Sequence, residues 1–374
     1  MRTDEPSNLT ESLASTAAPV LSVPMARSDA TAFARLTLEL REAGLLEPRT
    51  RRYVASILGY AALMVAAWTA FALTGSFWLA PVIGLLYARM GYHLHDLSHF
   101  HAFHSRRWND HAAHFVGFFV FGSIGRFRRD HEAHHKHTND LVLDPDIQAP
   151  LAMTAEQARK ARGLNRLFAR FQHLLLLPVL SLVAMWTIRG LDVAFLARAR
   201  GYPHRRREAF ILSAHVVCYL ALVFGTLSPR MGLLFVFVQQ TVFSTYFTLA
   251  FTVNHLGMPV DGRGQHRFRR LAEHTRNVTP GLLSDWFYGP LAAHIEHHLY
   301  PRMSRYNLRA ASKLVKPACR AQGIAYVECG IAEAYRDLHL ALREAGKPAR
   351  EPLPGALARA ADRLPSSSAF ATQS

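Results

Sequence analysis

Long uncharged apolar stretches alternate with strongly polar ones along the chain. Residues 53–75 (YVASILGYAALMVAAWTAFALTG) carry no charge and are long enough for a bilayer span, which needs about 20 residues. Residues 76–92 follow at once and stay apolar until Arg89. Gly75 and Ser76 leave room only for a tight turn, so the two stretches read as a hairpin. A second pair follows at 210–229 and 231–253, each uncharged, with Arg230 alone between them. A shorter apolar stretch, 174–188, contains Pro178 and predicts an interfacial or partly inserted helix. A full span there would put the two His-rich parts of the chain on opposite sides. Residues 31–46 (TAFARLTLELREAGLL) predict a short amphipathic helix with Phe33, Leu36, Leu40 and Leu45 near one face.

The flanks differ. Residues 1–30 contain Asp4, Glu5 and Glu11 and no continuous apolar core, which predicts a disordered N-terminus and not a secretory signal. Residues 302–346 show mixed helical patterning, and 347–374 predict a loose tail rich in Pro, Ala and Ser. Four spans put the N-terminus, residues 93–209 and the C-terminal part on one side, where Lys and Arg abound. The positive-inside rule makes that side cytoplasmic, hence the inner membrane if the protein is bacterial. The expected fold class is an all-α integral membrane protein: two transmembrane hairpins and a cytoplasmic helical cap within residues 31–346.

Composition narrows the classes. Of 374 residues, 50% are hydrophobic and only 19% charged, with a net charge of +16. With such apolar runs, the basic excess points to a membrane surface and not to nucleic acid. Cys218, Cys319 and Cys329 form no CxxC, which excludes a disulfide framework, a thiolate zinc ribbon and an all-cysteine iron–sulfur site.

Histidine changes the picture most. Of 21 His, 11 lie in 93–137 and six in 255–298, each window following a hairpin on the cytoplasmic side. Three clusters stand out: HDLSH with His95 and His99, HEAHH with His131, His134 and His135, and HIEHH with His294, His297 and His298. On a helix, positions i, i+3 and i+4 share a face, so each cluster can aim its rings at one point. Neutral imidazole is the commonest metal ligand at physiological pH. Eight imidazoles exceed the four that one tetrahedral zinc takes, and suit two metal ions with open positions. Nitrogen-rich ligation fits iron, copper, zinc or nickel alike. His255 in FTVNHLGMP is placed for a ninth ligand. Asp96, Glu132 and Glu296, inside the clusters, are natural acceptors for imidazole N–H groups, and Asn254 adjoins His255. Asp144 and Asp146 in LDPDI fit either a ligand-orienting role or a turn. Isolated residues such as His173, His204, His215, His266 and His339 receive no role.

These residues resemble those of the membrane fatty acid desaturases, within a histidine-box superfamily that also holds membrane hydroxylases and ketolases. The pattern HDxxH, HxxHH, HxxHH matches in order at His95–His99, His131–His135 and His294–His298. Flanking text matches too: HHKHTN followed by DPD, then NHLGMP, TRNV and EHHLYP, over about residues 30–345. The flanks look most like bacterial and front-end-type acyl desaturases. The third box departs from the front-end pattern, opening with His294 after Ala292 and Ala293 where that subgroup has Gln after Asn-Tyr. The resemblance implies a non-haem centre of two Fe ions held by the box histidines on the cytoplasmic face of four transmembrane helices. It also implies O2, and a long-chain acyl substrate carried on a lipid, coenzyme A or an acyl carrier protein. No HPGG motif of a fused cytochrome domain occurs, so a separate electron donor such as ferredoxin is expected.

Three rival readings remain at this level. A hydroxylase or carotenoid ketolase of the same superfamily would use the same metals. A non-enzymatic membrane metal-binding protein would hold labile metal. HEAHH also satisfies the HExxH pattern of zinc proteases, with Glu132 as base, but leaves two clusters unexplained. For an acyl tunnel between the helices, Trp68, Phe71, Trp78, Phe118, Phe119, Phe243, Tyr246 and Phe247 are candidate walls. Arg126, Arg128 and Arg129 suit a substrate headgroup, a phosphopantetheine carrier or lipid phosphates, with plain phospholipid contact expected, and Gln239 and Gln240 can hydrogen-bond across helices.

Overall fold

A computed structural model describes residues 23–351 apart from 149, 262 and 263. In chain order the helices are α1 (Val23–Glu42), α2 (Thr50–Thr74), α3 (Leu79–Ser98), α4 (Arg106–Val120), α5 (Ile124–Lys136), α6 (Ala155–Lys160), α7 (Gly163–Arg198), α8 (Arg205–Thr226), α9 (Pro229–Thr252) and α10 (Arg267–Glu273). After strand β1 (Arg276–Val278) come α11 (Leu282–Tyr288), α12 (His294–Leu299) and α13 (Arg305–Ala321), then β2 (Val327–Cys329) and α14 (Ile331–Ala345). The fold is mostly helical, as expected. The all-α expectation needs one correction: β1 and β2 pair in parallel, Asn277 opposite Glu328, in segments too short for a period-2 pattern to show.

Among the described residues, four helices are long and apolar enough to cross a membrane: α2, α7, α8 and α9. Three coincide with the expected stretches 53–75, 210–229 and 231–253. The stretch 76–92 does form α3, but Arg89, Tyr92, His93, His95 and Asp96 fill its second half, and it is not among the four. The stretch 174–188, expected to be short, is the middle of the 36-residue helix α7, with Pro178 inside it. Polar residues at both ends of α7 hid its length. The segment expected to be disordered lies outside the described residues up to 22, and Val23 onward is helical. Of the tail expected to be loose, residues 352–374 lie outside the described residues and Lys347–Arg350 form one 3-10 turn.

Each tight turn has a local cause. Gly75 caps α2 in the left-handed region (φ 61°), its N–H donating to Phe71 O at 2.8 Å. Pro229 opens α9, where its missing N–H costs nothing. A Cβ placed on Gly75 would lie 3.7 Å from Thr226 Cγ2, so the turns between α2 and α3 and between α8 and α9 are neighbours at one end of the bundle. α3 and α9 pack so closely at Gly84 that a Cβ there would stand 2.6 Å from the Gln239 carbonyl. The Tyr219 hydroxyl donates to Gln239 Oε1 at 3.1 Å, joining α8 to α9 as expected for that glutamine.

Towards its two ends α7 is tied to other elements by side chains. Gln172 donates to Ala152 O and Leu342 O at 2.8 and 3.0 Å, and Asp192 accepts from Arg126 Nε of α5 at 2.5 Å. A second apolar core joins α1, α10, α12 and α13, with Leu36 and Leu40 buried in it and Phe33 and Leu45 packed against it. The expected apolar face of the first helix is that face.

Candidate metal centre

The last turn of α3, all of α5, the residues just past α9 and the short helix α12 converge. His95 and His99 are four residues apart at the end of α3, His131 and His135 repeat that spacing on α5, and His294 and His298 on α12. Their nitrogens form two nests. In one, ring nitrogens of His95, His99, His131 and His297 all lie within 4.8 Å of one another; in the other, those of His134, His255 and His298 do. His294 joins the second nest, its Nε2 2.9 Å from that of His255 and 3.2 Å from that of His298. His135 stands between the nests, its Nε2 3.2 Å from His131 Nε2 and its ring stacked on His298 at 4.1 Å.

The outward nitrogens decide what the inward ones can do. His95 Nδ1–H donates to Asp96 Oδ1 at 3.1 Å. His134 Nδ1–H donates to Asp144 at 3.0 Å, and His255 Nδ1–H to the His274 carbonyl at 3.2 Å. Thr138 spends its proton on His134 O, and so accepts from His298 Nδ1–H at 3.2 Å. In each of these four rings the tautomer leaves a lone pair on Nε2, the nitrogen that faces the nest. His134 and His255 then meet lone pair to lone pair, their Nε2 atoms 3.3 Å apart. Nε2 of His95, His99 and His297 is buried with no protein partner. Convergent lone pairs with orphaned buried nitrogens are what a cation needs, and nitrogen donors in this number fit two transition-metal ions.

Charge agrees. Burial first, and then the neighbouring imidazoles, hold His131, His135, His294, His297 and His298 well below the usual histidine range. Burial and His134 push His255 down to about 3. Burial also works against the charged form of His134, but Asp146 and Asp144 outweigh it and raise that ring. The lowered rings are neutral at physiological pH, the form a metal requires.

The supporting residues differ in part from expectation. Asp96, fully buried, accepts from His95 and lies 3.4 Å from His101 Nε2, while its second oxygen pairs with Arg305. Asp144 is both turn and support: it caps the turn Pro145–Ile147 through Asp146 N–H and holds His134. Glu132 touches no imidazole; it is exposed and pairs with Lys136 at 2.7 Å, because its position faces away from the ring-bearing side of α5. Glu296 is buried but accepts from Asn277 Nδ2 (2.8 Å) and the Tyr326 hydroxyl (2.7 Å), fixing α12 to β1 and its neighbour. Asn254 donates to the carbonyls of Arg276 and Leu291, so it shapes the backbone around His255 and does not touch its ring. Thr138, Asn277 and Arg305 carry no role in the sequence reading. The first two stand inside HHKHTN and TRNV, a signal that was present, whereas Arg305 lies in no motif.

A cavity of about 340 Å³ opens beside the nests. His95, His131, His134 and His255 line it, together with Tyr92, Phe127, Phe243, Tyr246, Phe247 and Phe251. Of the candidate tunnel walls, Phe243, Tyr246 and Phe247 face it. Trp68, Phe118 and Phe119 line a second apolar cavity of about 330 Å³, Phe71 is core, and Trp78 is exposed. The three arginines expected at lipid phosphates are engaged within the protein: Arg126 with Asp192 and Asp130, Arg128 with Asp110, and Arg129 with Asp130.

Comparison with known proteins follows this geometry. Residues 75–330 match the family model described as fatty acid desaturase. A Delta(8)-fatty-acid desaturase of Helianthus annuus is 27% identical over 85% of this chain and 74% of its own length. A Delta(8)-fatty-acid desaturase of Euglena gracilis is 32% identical over 66% of this chain and 62% of its own, so the chain spans under two thirds of that relative. The Delta(5) fatty acid desaturase fat-4 of Caenorhabditis elegans is 27% identical over 79% of this chain and 69% of its own. The matched segment contains every histidine of the two nests, and the chain belongs to the fatty acid desaturase family.

Proposed function

We propose that the chain desaturates a long-chain fatty acyl group, using O2, at a centre of two iron ions. The observation that supports this most is the pair of imidazole nests beside an apolar cavity. His95, His99, His131 and His297 would hold one ion, and His134, His255, His294 and His298 the other, with His135 between them. Bound iron supplies the O2-dependent removal of two hydrogens from an unactivated chain, an oxidation beyond any side chain. The protein's own residues orient and exclude. Asp96, Asp144, Thr138 and the His274 carbonyl fix the tautomers, and Arg305 holds Asp96 in turn. Phe243, Phe247, Phe251 and Tyr92 keep water from the chain and set its path. Misplacement by about 1 Å can cost about a hundredfold in rate.

The same contacts support a membrane arrangement. In this reading α2, α8 and α9 cross the bilayer and α3 returns beside α2 to the histidine side, the two turns lying side by side at one face. α7 lies against them with both ends on the histidine side, which keeps the two His-rich regions together. The basic excess puts that side in the cytoplasm, where a separate donor such as ferredoxin delivers electrons.

The test is expression in a host of known lipid composition, followed by mass spectrometry of its acyl chains. New species two hydrogens lighter than host chains are expected, and disappear in His95→Ala and His298→Ala. Products one oxygen heavier would replace this reading with a hydroxylase, and an unchanged lipid profile would refute it.

A further inference from the structure

One cation of the cavity wall has buried donors that no hydrogen bond uses among the described residues. Arg189 of α7 lines the cavity, and its Nε and Nη2 atoms are buried with no hydrogen-bond partner. Its guanidinium carbon lies 5.4 and 5.9 Å from the ring centroids of Phe121 and Phe243, and Tyr87, Tyr219 and Asp192 are close enough to act on its charge. The other charged side chains of the cavity wall are committed. Arg126 pairs with Asp192 and Asp130, and Asp146 lies 3.5 Å from His134. Asp192, one turn along α7 from Arg189, has a free Oδ2 but does not pair with it. Arg189 is remote from the imidazoles. Phe243 and Thr252 both line the cavity and are nine residues apart on α9, about 13 Å at 1.5 Å per residue, and His255 comes three residues later.

A buried guanidinium with unused donors in an apolar cavity wall is costly and marks a ligand position. Its planar donors suit a carboxylate or carbonyl oxygen. We infer that Arg189 anchors the oxygen-bearing end of the acyl substrate, its carboxylate or ester carbonyl, with the hydrocarbon running from there to the imidazoles. This rests on reading the cavity as the acyl site. The distance from Arg189 to the nests then counts carbons from the carboxyl end of the chain.

The test is binding to the purified full chain of three fluorescent polyene probes: a fatty acid, its methyl ester and the matching hydrocarbon. Wild type should prefer the acid or ester. Arg189→Met should weaken that binding by about tenfold or more, and leave the hydrocarbon unchanged, while Arg189→Lys keeps part of the preference. Loss for the acid alone identifies a carboxylate ligand, and loss for acid and ester alike a carbonyl oxygen. Equal weakening of all three probes would mean a structural arginine, and no change in any, or no binding to wild type, would mean no anchor. Each of those results overturns the inference. Desaturation is assayed separately, so an active enzyme that fails to discriminate among the probes refutes the anchor alone.

Discussion

At the scale of single residues, the two carboxylates of α5 and its turn are a matched contrast. Glu132 and Asp144 both stand near box histidines in sequence, but only Asp144 receives an imidazole proton. Asp144→Ala should lower metal retention or activity by about 10- to 100-fold, measured on purified protein. Glu132→Gln should leave both unchanged. Loss of activity in Glu132→Gln would contradict a role confined to the surface pair with Lys136. Arg305 is a second case: it is the partner of fully buried Asp96, and Arg305→Met should cost about 3–5 kcal/mol of stability by leaving that carboxylate uncompensated. A thermal midpoint equal to wild type would contradict the buried pair.

Burial also sets a pH response. His255 is held at about 3 against an ordinary 6.5, and the five rings His131, His135, His294, His297 and His298 are lowered in the same direction. Between those limits the unfolded chain binds more protons than the folded one. Stability is therefore fully present above about pH 6.5 and lost as pH falls toward 3. His134, raised, opposes this with a single group. Thermal midpoints of chelator-treated protein in detergent, followed from about pH 8 to about pH 5, should fall on acidification. A midpoint that holds or rises would contradict the neutral cluster.

Among elements, the close approach of α3 and α9 positions the nests, because each helix ends in a ligand-bearing turn. Gly84→Ala should force the helices apart at Gln239 and cost about 1–3 kcal/mol, read as a lower thermal midpoint. The helices themselves were legible where polar residues did not intrude: α2, α8 and α9 stand within a few residues of their uncharged stretches. The uncharged core of α7 understates its length, because Arg162, Arg166, Arg189 and Arg198 flank its apolar middle. The β1–β2 pair was invisible for a different reason: three residues per strand carry no period, and their pairing spans a long sequence separation.

For the molecule as a whole, the site was more legible than its support. Helical spacing put each set of imidazoles on one face, and the fold joins the three faces with His255. Spacing could not say which nitrogen points inward, since that depends on acceptors brought from elsewhere: the His274 carbonyl, Thr138, and Asp144 from the far side of a turn. Nor could it show Glu296 turned toward Tyr326 and Asn277, contacts made only once α12 packs on β1. The central claim is that sequence-distant imidazoles gather into two metal sites. Its most direct test is the metal content of purified, active protein by mass spectrometry. Two iron atoms per chain are expected, falling in His297→Ala and in His255→Ala; active protein with a single zinc, or with no iron, would contradict the account.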